Sequence, residues 1–124
     1  MNNNQNTNNK IYDLEERTTQ FAINVVKLLK KLPRNPINDR LAGQEAGASG
    51  SVGANYREAN DALGTKDFKH RLKISRKEAK ESIHWLRIIE VANSSFSKEI
   101  QIILKENIEI KNILSSMIIK CNKQ

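Results

Sequence analysis

The chain has 124 residues, 38% of them apolar and 28% charged, and a formal net charge of +7, which fits one soluble-type domain with a modest core. No apolar run reaches the ~18 residues of a membrane span. The opening MNNNQNTNNK lacks the apolar centre of a secretory leader, and a single cysteine, Cys121, rules out an internal disulfide framework. A cytoplasmic protein is therefore expected, and with an aromatic content of 5% and only two prolines helix is favoured over sheet.

Residues 1–12 are Asn-rich and are expected to be a disordered tail. The first helix is predicted to start at Asp13, which can cap it, with Glu16 three residues on as in a capping box. Leu14, Phe21, Val25, Leu28 and Leu32 then recur at helical spacing as one buried stripe. LPRNPIN breaks the helix. Asn35 is placed to cap a second one, with Pro36 at its first position, where the missing N–H is not needed.

The second helix is predicted over 36–63, the third from about Thr65 to Asn93 with Thr65 as its cap, and the fourth over 97–120 after the turn NSSFS. Residues 121–124 are expected to be a short tail. No strand pattern and no internal repeat is visible. Four long helices with short loops predict an all-α, antiparallel up-down four-helix bundle over 13–120.

Within the second helix, GQEAGASGSVGAN holds four of the five glycines. A phosphate loop is not supported: a Walker loop needs a lysine that is missing here, and no strand precedes Gly43 as a dinucleotide fingerprint requires. At about 100° per residue, Leu41, Ala48, Val52, Ala59 and Leu63 share one side. Gly43, Gly47, Gly50 and Ala54 share the opposite side. Four helical glycines cost roughly 4 kcal/mol of propensity relative to Ala, so a flush-packed partner on that side is expected. Asn55 is placed toward the core, where it would either hold helix register or contact a ligand.

The charge is uneven along the chain. Residues 65–93 carry 8 Lys/Arg against 4 Asp/Glu, whereas residues 1–64 carry 8 against 7. On the third helix Lys66, Lys69, Lys73, Arg76, Lys80, His84 and Arg87 fall within about 80° of arc along about 32 Å. Lys77 lies beside the row. Asp67, Glu78 and Glu81 lie outside it. Phe68, Leu72, Ser75, Ala79, Ile83 and Leu86 form the neighbouring core stripe.

A row of this kind suits a phosphate backbone, RNA or DNA, without sequence reading, since no aromatic interleaves it to stack on bases. The plain alternatives are a solvated face or a dock for an acidic protein partner. Ile74, Trp85 and Ile88 make a third stripe, with Trp85 placed as an interface anchor. Together with the isoleucine-rich fourth helix they predict a homo-oligomer.

Catalytic and metal signals are weak. His70 and His84 stand 14 residues apart. The Glu81-x-x-His84 pair occurs once, where a di-metal bundle needs two. Neither an enzyme nor a cofactor is expected.

The segments DLEERTTQFA, SVGANYREANDALGTKDF and RLKISRKEAKESIHWLRIIE, in that order, resemble a bacterial family of four-helix bundle proteins. Its members are encoded in intervening sequences of large-subunit ribosomal RNA genes. It is similar to the accessory protein of diversity-generating retroelements. The resemblance runs from Asp13 to about Met117. It implies a protomer that assembles into a ring, typically a homopentamer, with a basic surface and binding of structured nucleic acid. It also raises a reverse transcriptase as a partner. The chain departs from the family pattern at Glu45 and Gly47, where a positive charge is missing from the second helix.

Overall fold

The computed structural model describes residues 13–123, so the tail expected over 1–12 lies outside the described residues, as does Gln124. Four helices follow in order: α1 (Leu14–Lys31), α2 (Pro36–Asn60), α3 (Thr65–Ala92) and α4 (Ser97–Asn122), with one 3-10 turn, Ser94–Phe96, before α4. Among the described residues there is no strand, and no helix is long and apolar enough to cross a membrane. Each helix packs on the next in sequence, and α4 closes back on α1. This is the up-down bundle that the spacing predicts.

The helix starts follow from local chemistry. Asp13 accepts a hydrogen bond from the Glu16 N–H at 3.2 Å, and Asn35 accepts one from the Asn38 N–H at 2.8 Å with Pro36 just inside. At α3 the cap is Gly64 rather than Thr65, and no side chain bonds the first-turn N–H groups. Helix α2 also stops earlier than expected, at Asn60. The Asp61 and Ala62 N–H groups turn back onto the Arg57, Glu58 and Ala59 carbonyls and close the helix there. Leu63, placed in the core stripe by its spacing, is therefore fully exposed in the α2–α3 turn.

The predicted α1 stripe is buried throughout: Leu14, Phe21, Val25, Leu28 and Leu32. Leu72, Ser75, Ala79 and Leu86 are buried on α3, with Phe68 and Ile83 packed against the core from its margin. Helix α4 inserts Ile100, Ile103, Leu104, Ile110, Leu114 and Ile118. It leaves Ile102, Ile108 and Ile119 exposed.

Several polar contacts tie the helices together inside. Asn38 and Asn93 pair through both amides, and the Ser75 hydroxyl donates to the Val52 carbonyl at 2.7 Å. Asn55 takes no part in this. It is half-buried, and its amide donates to the Ser51 carbonyl of its own helix at 2.9 Å. At that position the side chain falls back along the groove of α2, so it neither sets inter-helix register nor is aimed at a ligand.

Candidate nucleic-acid interface

Helix α3 has 28 residues and spans about 42 Å. Its core stripe turns toward α2 and α4, which leaves the cationic row on the outer face. Lys66, Lys73, Lys77, Lys80 and Arg87 are exposed, while Lys69 and Arg76 are half-buried. Arg76 leans over α4, with its guanidinium 3.4 Å from the Ser115 hydroxyl. Arg76, Lys77, Lys80, His84 and Trp85 line one shallow open hollow, together with Gln44 of α2. His84 meets Trp85 edge to face at 4.9 Å.

Among the described residues, none of the seven Lys/Arg side chains Lys66, Lys69, Lys73, Arg76, Lys77, Lys80 and Arg87 forms an ion pair within 4.0 Å. Some cations elsewhere are paired, whereas Lys27, Lys30, Arg40, Lys98, Lys105, Lys111, Lys120 and Lys123 form no ion pair within 4.0 Å among the described residues. Arg17 binds Glu106 at 2.8 Å, Lys31 binds Glu99 at 2.7 Å, Arg34 binds Asp39 at 2.7 Å and Arg57 binds Glu15 at 2.8 Å. Even Arg71, on α3 but outside the row, sits 4.0 Å from Asp67.

Glu78, Glu81 and Glu90 lie beside the row. Glu90 accepts from Gln101 and Ser97, which lower its pKa, with a smaller contribution from the charge of Arg87. Glu78 is raised by partial burial and by the like charge of Glu81. Glu81 shares the hollow with Lys73, Arg76, Lys77 and Lys80, so the face is predominantly rather than uniformly positive, an arrangement that still attracts a phosphate backbone.

The glycine side of α2 is also exposed. A Cβ added at Gly43, Gly47 or Gly50 would meet nothing within 4 Å, and Ala54 beside them is exposed. The fourth glycine is different. A Cβ at Gly53 would lie 2.8 Å from Thr18 Oγ1 and 3.2 Å from Thr18 Cβ, so here α1 leaves no room for a side chain on α2. Trp85 is half-buried and Ile88 is exposed at the margin of α3, while Ile74 is half-buried. An apolar groove between α1 and α2, lined by Val26, Leu29, Ala42, Gly43 and Ala46, runs beside the glycine stripe.

The sequence marks Glu45 only as a departure from the family pattern, where a positive charge is missing from the second helix. The structure buries it completely. Its Oε2 accepts from the Ser82 hydroxyl at 2.7 Å, and Ser82 Oγ in turn accepts from Asn107 Nδ2 at 2.9 Å. The signal was present: Glu45 falls four residues after Leu41, three before Ala48 and seven before Val52, inside the core stripe. Burial pushes its carboxyl up to about 8, against the smaller lowering effect of the Ser82 hydrogen bond. No cluster of three His, Cys, Asp or Glu side chains able to hold a metal ion occurs among the described residues.

Comparisons with known proteins agree with this architecture. The model of the 23S rRNA-intervening sequence protein family matches residues 10–116. The chain is similar to a crystal structure of a protein with unknown function from the S23 ribosomal protein family of Bacteroides thetaiotaomicron. The TM-score is 0.74 at 30% identity, over 84% of this chain and 96% of that one. None of the curated proteins compared matches the chain.

Proposed function

The chain belongs to the 23S rRNA-intervening sequence protein family, and from that premise we propose that it is a non-enzymatic, oligomeric accessory protein that holds nucleic acid, RNA in the first place, along the outer face of α3. The observation that carries this reading is the concentration of charge: seven Lys/Arg side chains on one face of α3 have no carboxylate within 4.0 Å, while Arg17, Lys31 and Arg57 of the neighbouring helices are each paired. Self-repulsion along such a row costs stability, and a polyanion removes that cost.

Contacts of this kind grip phosphates and read no sequence. Lys66, Lys69, Lys73, Arg76, Lys77, Lys80 and Arg87 are the contact residues in this account. Self-association would use the uncovered stripe of Gly43, Gly47, Gly50 and Ala54, the groove beside it, and the margin holding Trp85 and Ile88. A closed ring such as a homopentamer would repeat the basic row around one axis and concentrate its field.

The test is a titration of nuclease-treated protein against structured RNA and duplex DNA at two salt concentrations. A variant carrying Lys69→Glu, Lys73→Glu, Arg76→Glu and Lys80→Glu runs alongside, with its helicity checked. Binding that weakens with salt and disappears in the variant is the expected result. No binding at low salt would overturn the nucleic-acid reading and favour an acidic protein as the partner of the row.

A further inference from the structure

Glu45, Ser82 and Asn107 come from α2, α3 and α4 and are all fully buried. Glu45 Oε2 and Asn107 Nδ2 meet on one hydroxyl, that of Ser82. A hydroxyl has one hydrogen, and here it goes to Glu45, so Ser82 can only accept from Asn107. Two atoms are then left without a partner, Glu45 Oε1 and Asn107 Oδ1. Both are acceptors, and both belong to the two side chains that share Ser82.

An ionised Glu45 would therefore leave a buried charge with one hydrogen bond and an orphaned amide oxygen beside it. Each of these is costly away from water. One proton placed on Oε1 removes both faults, because it converts an orphaned acceptor into a donor and supplies the partner that Oδ1 lacks.

We propose that Glu45, Ser82 and Asn107 close a ring of hydrogen bonds around a single proton carried by the Glu45 carboxyl, so that the bundle core is a proton-binding site, filled at neutral pH and emptied under alkaline conditions. In the ring Glu45 donates to Asn107, Asn107 donates to Ser82 and Ser82 donates to Glu45. Each member donates once and accepts once.

No charged group offsets loss of that proton. Arg17 of α1 is occupied by Glu106 and Glu109 of α4. On α3, Glu78 and Glu81 lie on the flank and Lys80 on the outer face, and no charge of α1, α3 or α4 contributes to the environment of the Glu45 carboxyl. The only opposing influence is the Ser82 hydrogen bond.

The folded state holds its proton at a pH where the unfolded chain has released it, so stability falls as pH rises between the two pKa values and levels off above the folded one. The experiment compares the melting temperature of the full chain and of Glu45→Gln from pH 5 to pH 9 at fixed protein concentration. It is paired with carbon-detected NMR titration of the Glu45 carboxyl in the unmodified chain.

A Gln amide can donate to Asn107 and accept from Ser82, so the variant mimics the protonated acid. The expected result is a fall of order 10 °C in the unmodified chain across that range, a flat profile in Glu45→Gln, and a carboxyl signal that titrates well above the ordinary range. Parallel profiles, or a carboxyl that titrates near 4 to 5 as an ordinary glutamate does, would overturn the proposal. So would rescue of the alkaline loss by monovalent cations in the unmodified chain alone, since the site would then hold a metal ion. If Glu45→Gln fails to fold, the NMR titration decides alone.

Discussion

Asn38 and Asn93 bond each other twice: each side-chain amide donates to the other's oxygen at 2.9 Å. The spare hydrogens go to the Pro33 and Ile89 carbonyls, at 2.8 and 3.0 Å. All four polar atoms of a buried pair are thus satisfied, at the end of the bundle where α2 begins and α3 stops. Asn93→Ala strands the Asn38 amide oxygen and should cost about 1–3 kcal/mol. Urea unfolding of the two proteins would measure it, and a midpoint unchanged by the substitution would show that water replaces the lost partner.

The glycines of α2 should divide into two kinds. Gly53→Ala forces a methyl group against Thr18, whose hydroxyl is tied to the Glu15 carbonyl at 2.9 Å. A loss of about 1–3 kcal/mol is expected, and Thr18→Ala should recover part of it in a double-mutant cycle. Gly43→Ala and Gly50→Ala meet open space. In the isolated protomer each should gain up to about 1 kcal/mol of helix propensity. Gly47→Leu should instead lower the oligomeric mass seen by light scattering if that face is the subunit contact. Unaltered mass and melting temperature would remove the stripe from the interface.

Raising the pH toward 8 should weaken the bundle. With its carboxyl raised to about 8 in the folded protein, Glu45 should lower the free energy of unfolding by up to about 1.4 kcal/mol per pH unit between pH ~4.5 and pH ~8. The loss stops above that window, and below it Glu45 contributes no pH dependence. Chemical unfolding at pH 6, 7, 8 and 9 would trace this slope, and Glu45→Gln should abolish it.

Single cations of the α3 row should act alike. Lys73→Ala should weaken nucleic-acid binding by a similar factor for every sequence and lower the salt slope by about one phosphate. Arg34→Ala is the control, because Arg34 lies in the α1–α2 turn and is already paired with Asp39 at 2.7 Å. Loss that depends on base sequence would show that Lys73 touches bases.

Most of the bundle was legible from spacing, since apolar residues at steps of three and four on α1 and α3 have no other way to be buried together. Leu63 misled because periodicity continues past the point where the Asn60–Asp61 turn closes α2. Glu45 misled for the opposite reason. It fits the core stripe by position, but a carboxylate is normally excluded from a core, and only its neutral form in contact with Ser82 makes the position tolerable. Asn55 and Asn38 look equally suited to a buried role in sequence. What separates them is the residue opposite, Asn93, which lies 55 positions along the chain from Asn38. The basic row was visible as a pattern, but its lack of partners required knowing where the acids of the other helices end up.

The internal polar contacts of α2 occur at positions 38, 45 and 52, one every seven residues and so about 10 Å apart. Each meets a different partner: Asn93 at the C-cap of α3, and Ser82 and Ser75 within it. Sliding α3 by a single turn would break all three at once, so the hairpin of α2 and α3 is keyed against slippage. The lysines on the far side of α3 inherit that constraint. Their spacing along the axis cannot change by sliding the helix, so α3 presents its cations at fixed intervals, and any polyanion bound there would have to match them.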